Sequence, residues 1–411
     1  MVIVSHPTGN ANVRAVGGAL ARYNFLAEFW TSIACSKNAA WLKMAPKGIR
    51  AECLRRSFDL PHERIKTHPW RELVRLGAVQ GGFSRITAHE RGWACIDRVC
   101  HSLDRAVARR LGNTSGVRAV YAYEDAALDT LLAARRRGMA ALYDLPIGYW
   151  RAGRRLMNEE AERLPEWTST LTGNRDSVSK LERKDAELAA ADAIFVASSF
   201  TARTLRDYPG QLAPVKVIPY GFPPVSGLMK PDVILSASRP LKLLFVGGLS
   251  QRKGIANMFA AAEALGSRVE LTVVGHKAGT GCPALDRALA RHRWVPSLPH
   301  HEILRLMREH DVLLFPSLFE GFGLVITEAM SQGTPVITTD RTAGGDLIEH
   351  GHNGWLVEAG STASLQAAIE TILSNPRQIT EVGRAAQETA SHRSWDDYGD
   401  ELVAAIRGLI R

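Results

Sequence analysis

Cysteine is scarce in this sequence: Cys35, Cys53, Cys95, Cys100 and Cys282 are the only five in 411 residues, and no two stand in C-x-x-C spacing. An odd, scattered set argues against a disulfide framework and against a zinc site, and fits a reducing compartment. No apolar run approaches the ~20 residues that a membrane-spanning helix needs. The start, MVIVSHPTGNANVR, lacks the basic segment, long apolar stretch and small-residue cleavage site of a secretory signal. The expected location is the cytoplasm, with peripheral contact at the inner face of a membrane as the variant left open. A G-x-G-x-x-G fingerprint is missing, which counts against a dehydrogenase. So is any D-x-D triplet of metal-binding carboxylates.

The residues that are present describe an ordinary globular chain, with a hydrophobic fraction of 45% and a charged fraction of 23%. Its length exceeds what one core usually fills, so two domains of roughly 200 residues are expected. A net charge of +9 fits an acidic ligand, an anionic membrane surface or nucleic acid, and does not choose among them. The basic clusters Arg105–Arg110, Ala134–Gly138 and Arg151–Arg155 lack the interleaved aromatics of a nucleic-acid surface, and no nucleic-acid partner is expected.

Short apolar runs, VIVSH, AEFWTSIA, VRAVYAYE, AALYDLP, AIFVASS and VKVIPYG, alternate with Ala/Leu/Arg-rich helical stretches through the first half. This alternation predicts βαβ units and a parallel sheet. A Pro- and Gly-containing stretch from Gly221 to Lys242 reads as a linker, and a second series follows: KLLFVGGL, VELTVVG, VLLFPS and PVITT. The expected domains are residues 1–222 and 223–393, with 394–411 as a helix crossing back to the first domain. Two such domains form a cleft between the carboxyl ends of their sheets, where α/β proteins bind ligands.

The stretch FPSLFEGFGLVITEAMSQGTPVITTD, Phe315 to Asp340, places Glu320 and Glu328 eight positions apart around a glycine turn. It predicts a buried strand, a loop and a helix closed by Gly333. The free N–H groups at the helix start, near Gly323, Leu324 and Val325, carry partial positive charge and offer a phosphate seat. Gly321 and Gly323 allow close backbone approach. A carboxylate accepts two hydrogen bonds at once, so Glu328 suits a ribose diol and Glu320 a neighbouring polar ligand. The ordinary alternative is a helix whose glutamates are an N-terminal charge and a solvated side chain.

The run EGFGLVITEAMSQGTPVI resembles the signature of the retaining nucleotide-sugar glycosyltransferases of group 1, the glycogen synthase and mannosyltransferase type, whose two glutamates are separated by seven residues. FVGGLSQRKGI, LTVVGH, EILRLMREHDVLLFPS, TAGGDLIEHGHNGWLV and a late Ser-Trp also match, as do ELAAADAIFVASSFTARTL and VKVIPYGF upstream. The resemblance implies the GT-B fold, two Rossmann-like α/β domains with parallel sheets facing across a cleft. It implies that Glu320 contacts the donor sugar, that Glu328 binds the ribose, and that the loop from Gly247 and Gly248 to Lys253 holds the diphosphate. Gly321, Phe322, Gly323, Leu324 and Val325 complete the donor set. The usual arginine of that loop reads Gly248 here, and Arg252 is the expected substitute.

In the first domain the resemblance is weaker. Gly9, Asn10, Asn12 and Arg14, on the turn after the first strand, are candidates for acceptor or sugar contacts, with helix capping and a surface arginine as the ordinary alternative. The histidine that many relatives carry before an aspartate reads Tyr143 here, and Asp144 at a strand end is a candidate for a sugar hydroxyl. Tyr149, Trp150 and the nearby arginines are candidates for holding an acceptor. His6 and His276, also at strand ends, read as ordinary polar residues.

The resemblance thus implies a retaining transferase, a hexosyltransferase by type, that moves a sugar from a nucleotide-diphosphate-sugar donor to a hydroxyl of a glycan, lipid or small molecule. No cofactor and no essential metal are expected. The alternatives are a nucleotide-sugar epimerase and a non-catalytic nucleotide-sugar-binding protein.

Overall fold

The protein was analysed as a computed structural model, which describes residues 1–410 apart from 37–43, 45, 46, 228, 229, 231–233, 237, 238 and 280. The first sheet contains β1 (Val2–Ser5), β2 (Leu26–Thr31), β3 (Ile65–Thr67), β4 (Ala119–Tyr123), β5 (Ala140–Leu145), β6 (Ala193–Val196) and β7 (Val215–Val217). The second contains β8 (Leu241–Val246), β9 (Val269–Val274), β10 (Arg293–Val295), β11 (Val312–Phe315), β12 (Val336–Thr339) and β13 (Trp355–Val357).

The orders are β3-β2-β1-β4-β5-β6-β7 and β10-β9-β8-β11-β12-β13. All paired strands are parallel, with Val2 opposite Ala119 in one sheet and Leu313 opposite Leu244 in the other. Chain order reverses between β1 and β4 and again between β8 and β11, so each sheet opens a ligand crevice at the carboxyl ends of those strands. Every residue of β1, β4, β11 and β12 is buried. Helices cover both faces of a parallel sheet, which is why these strands read as continuous apolar runs rather than alternating ones.

The predicted linker, Gly221 to Lys242, includes seven of the residues outside the described set; its described part pairs Phe222 with Ser394. The last helix, Trp395–Leu409, starts with a capping box between Ser394 and Asp397. It buries Tyr398, Leu402, Val403 and Ile406 against Val13, Ala19 and Leu20 of the helix Ala11–Arg22. Gly399 sits at that contact, where a methyl group would stand 2.7 Å from the Ala19 side chain. The chain therefore leaves the first domain near Gly221 and returns beside the same place, with the Phe222 N–H donating to the Arg393 carbonyl at 2.9 Å.

The halves also touch at a small apolar cluster in which Ala152, Met157 and Phe200 of the first meet Leu318 and Phe319 of the second. All five cysteines are free thiols. Among the described residues no helix is long and apolar enough to cross a membrane.

Candidate active site

The loop after β8 brings two cations to the end of β11. Ser250 caps a short turn, Gln251–Lys253, by accepting from the Arg252 N–H. The Arg252 carbonyl then accepts from the Leu318 N–H at 2.8 Å and from the Ser317 hydroxyl at 3.2 Å, which fixes the turn against the loop carrying Glu320. Lys253 forms an ion pair with Oε2 of Glu320. Arg252 places Nη1 3.3 Å from the same oxygen and donates to the Phe319 carbonyl at 2.6 Å. The Lys253 ammonium also lies 4.7 Å from the centre of the Phe315 ring, within cation–π range.

All three charged side chains are largely withdrawn from solvent. Burial, and after it the Arg252 charge, pushes the Lys253 ammonium well below its ordinary value. Burial lowers Arg252 as well. With Lys253 protonated, two cations share one carboxylate, and an anion would stabilise that charged form.

Gly321 marks the place where the domains meet. Its carbonyl accepts from the Ser198 hydroxyl at 2.5 Å and the Thr201 hydroxyl at 3.0 Å, both in the first domain. A Cβ at this position would fall 1.8 Å from the Pro146 carbonyl oxygen, so only glycine fits. Phe322, expected among the donor contacts, is 3% exposed and packs on Tyr220 with ring centres 4.9 Å apart. Its side chain belongs to the inter-domain core, because a phenyl ring gains more from burial there than from facing a polar ligand.

Gly323 takes φ 89°, a left-handed conformation favourable to glycine, and opens the helix Leu324–Ser331 without a side-chain cap. The N–H groups of Leu324 and Val325 thus begin a helix with no side chain competing for them. One turn on, Oε1 of Glu328 lies 3.0 Å from Nε2 of His300. Gly247 and Gly248 follow β8 directly, and a side chain at Gly248 would enter open space.

Of the first-domain candidates, Asn12 and Arg14 bond within the first domain, whereas Asn10 is exposed. A Cβ at Gly9 would meet the Phe58 ring at 2.7 Å. Asn10 is the N-cap residue of Ala11–Arg22, but its side chain makes no capping bond. Asn12 is buried and donates to the Tyr220 hydroxyl at 3.1 Å. Arg14 donates to the carbonyls of Ser57, at 3.2 Å, and Arg55. These bonds tie the Asn12 and Arg14 side chains to the first domain in this structure.

Asp144 is 3% exposed and accepts from the Tyr121 hydroxyl. Burial raises its carboxyl to about 7. His6 bonds to the backbone of Thr8, and burial lowers it to about 4. His276 is exposed.

The cleft joins Trp150, Arg154 and Arg252, all among the sequence candidates, to Glu124 and Lys184, which sequence reasoning did not single out. A cavity of about 200 Å³ lies between the domains, lined by Glu124, Trp150, Arg154 and Lys184 from the first and by Arg252 and Phe319 from the second. Glu124 immediately follows β4, at the switch point of the first sheet. The available signal was a carboxylate directly after a fully apolar strand. Lys184, mid-helix in Val178–Ala190, gave none.

Residues 230–389 match the model of the family described as glycosyl transferases group 1. The chain is 33% identical over 180 residues to a glycogen synthase of Mycobacterium tuberculosis, an alignment covering 42% of each chain. It is 32% identical over 177 residues to a D-inositol 3-phosphate glycosyltransferase of Rhodococcus erythropolis, covering 40% of each. Both alignments thus span less than half of the relative. Among solved structures, sucrose-phosphate synthase from Thermosynechococcus elongatus superposes with a TM-score of 0.68 at 18% identity, over 99% of this chain and 98% of that one. Anabaena Alr3699/HepE in complex with UDP superposes with a TM-score of 0.63 at 17% identity, over 99% of both. The two sheets and their switch points are those of the GT-B fold, and residues 230–389 are similar to the glycosyl transferases of group 1.

Proposed function

We propose that the protein transfers a sugar from a nucleoside-diphosphate donor to an acceptor hydroxyl, with retention at the anomeric carbon. The observation that carries this reading is the cluster of Lys253, Arg252 and Glu320 beside the start of the helix Leu324–Ser331. A diphosphate brought to this point meets two cations and the positive end of a helix. Because the leaving diphosphate gains charge as the glycosidic bond breaks, these groups stabilise the transition state more than the ground state.

The same anion competes with Glu320 for Lys253. In this reading Lys253 exchanges its carboxylate partner for phosphate, and Glu320 becomes available to accept from a hydroxyl of the donor sugar. Glu328 accepts from the ribose diol, in competition with His300. The acceptor hydroxyl attacks from the face the diphosphate leaves, and a leaving phosphate oxygen takes its proton, so no separate side-chain base is needed. Anabaena Alr3699/HepE, solved with UDP and with UDP-glucose, shares the fold and makes a uridine nucleotide the first donor to try.

A thermal-shift screen against UDP, GDP, ADP and their sugar conjugates tests the proposal. Ligand at a hundred times its dissociation constant raises stability by about 2.7 kcal/mol. A shift with one nucleotide, lost in Glu328→Ala, and slow release of free sugar from its conjugate are the expected results. Binding without turnover would leave a nucleotide-sugar-binding protein, and release of an altered sugar an epimerase.

A further inference from the structure

The basic clusters Arg105–Arg110 and Ala134–Gly138 have no part in the donor reading, and the fold brings them together. The helix Ile96–Arg110 packs along the helix Leu128–Arg135. The Asp104 carboxylate fixes this contact by accepting from the Asp129 and Thr130 N–H groups, each at 2.8 Å. An open cavity of about 310 Å³ lies where the helices meet. Four arginines line it: Arg105 and Arg109 from the first helix, Arg136 and Arg137 from the end of the second. Each helix leads through a short connection into the amino end of a parallel strand, β4 or β5. Their arginine-bearing ends therefore lie away from the carboxyl ends of the strands, where the cleft opens.

All four arginines are exposed, and among the described residues none of them makes an ion pair. Arg137 donates to the Ala133 carbonyl at 3.1 Å, while Arg105, Arg109 and Arg136 make no side-chain hydrogen bond among the described residues. Their neighbours outside the cavity are neutralised, Arg110 by Glu28 at 2.6 Å and Arg135 by Asp192 at 3.8 Å. The one carboxylate in the cavity lining, Asp129, lies 3.0 Å from Arg183, which also pairs with Asp104 at 2.6 Å and Glu187 at 3.9 Å. Even with all three carboxylates ionised, three less the one guanidinium leaves two negative charges against four arginines. The Asp104 and Glu187 side chains are also fully buried and cannot reach the cavity. Positive charge thus stays uncompensated there. The pull of a helix C-terminus on cations does not account for it, because that pull fades beyond the last turn and Arg105 stands before it.

Like charges gathered in one concavity repel, and an oxyanion relieves the repulsion. A guanidinium fork meets phosphate oxygens through paired hydrogen bonds, and a phosphate monoester carries about −1.5 to −2 charges at pH 7 where a carboxylate carries one. The volume matches the lower end of small-ligand pockets, roughly 300–1,000 Å³. No aromatic side chain lines the cavity, which favours a small anion over a nucleic acid.

We propose that this cavity binds a phosphate-bearing anion of at least two negative charges, at a site separate from the transferase cleft. It stands independently of the donor reading. A phosphorylated small molecule and a phosphorylated lipid headgroup share this chemistry, and the test separates them.

The full chain carrying Lys253→Ala, which removes one cation of the donor loop, is titrated by calorimetry at low salt with inorganic phosphate, pyrophosphate and inositol hexakisphosphate. Co-sedimentation uses vesicles of phosphatidylcholine with and without phosphatidic acid. The expected result is saturable binding of a soluble probe, or of the phosphatidic acid vesicles alone, that weakens by about tenfold or more when R105Q and R136Q are added. The responding arm identifies the small molecule or the headgroup. R135Q removes an equal charge from the same helix outside the cavity and should weaken binding by less than about threefold. No binding of any probe, binding unchanged by R105Q with R136Q, an equal loss in R135Q, or tighter binding of a duplex oligonucleotide than of every other probe would overturn the proposal.

Discussion

His300 holds Glu328 from a neighbouring helix, with Nε2 3.0 Å from the Oε1 that the donor reading assigns to the ribose. The hydrogen bond to Glu328 raises the imidazole above its ordinary value of 6.5. The pair is thus fully formed below that value and is lost as pH rises through the raised one. Nucleotide and His300 compete for one carboxylate. His300 should therefore contribute a fall in the dissociation constant of the responding nucleoside diphosphate as pH rises through the raised value. His300→Ala should flatten that slope in a titration, and an unchanged slope would sever the link.

Lys253 is held below its ordinary value by burial and by Arg252, and a diphosphate reverses the balance. In His300→Ala, where the imidazole releases no proton, binding of a nucleoside diphosphate at a pH above the lowered Lys253 value should then be accompanied by proton uptake. Calorimetry in buffers of different ionisation enthalpy reads it directly. Lys253→Ala should abolish the uptake. Lys253→Ala and Glu320→Ala should each lower turnover by about two orders of magnitude or more at unchanged circular dichroism. Wild-type rates in both would remove the site assignment.

Gly248 stands where the family resemblance implies an arginine, and a Cβ there meets nothing within 4 Å. Gly248→Arg should consequently fold normally. A third cation at the diphosphate should tighten nucleoside diphosphate binding by about tenfold. A weaker complex would mean that the loop presents this position away from the donor.

Asp144 is fully buried, and its carboxyl is raised to about 7 from 3.8. The folded protein therefore keeps a proton that the unfolded chain has released. Stability falls as pH rises through this window and levels off above about 7, at a deficit on the order of 4 kcal/mol. Asp144→Asn cannot ionise and can still accept from Tyr121. Its melting temperature should exceed that of the wild type at about pH 8 and converge with it near pH 4. Turnover should stay within about threefold of wild type, since the carboxylate serves the core. A large loss would return Asp144 to the sugar site.

Most of the parallel architecture was legible because buried strands such as VIVS and VLLF are unbroken apolar runs. The strands β3, β10 and β13 are three residues each, too short for a period to register. The turn after β1 shows what a local reading leaves out. Asn12 and Arg14 look like ligand donors in sequence, but their partners lie 208 and 43 positions away and exist only once the domain has folded. Phe322 was grouped with its glycine neighbours although its ring belongs to a contact with Tyr220 across the domain boundary. The cavity was hidden for the same reason: Glu124, Arg154 and Arg252 are brought to one space by two sheets and a domain closure, and no local pattern encodes that meeting.

The two crossings between the domains run side by side, Phe222 bonded to Arg393 and Gly221 packed so closely on Ser394 that a Cβ would fall 2.4 Å from its carbonyl oxygen. A single tether lets one body swivel about it in any direction, whereas two paired tethers resist torsion and leave bending as the soft coordinate. The soft direction that these crossings leave is bending about a line near residues 221 and 394, across which the wall bearing Arg154 faces the wall bearing Arg252.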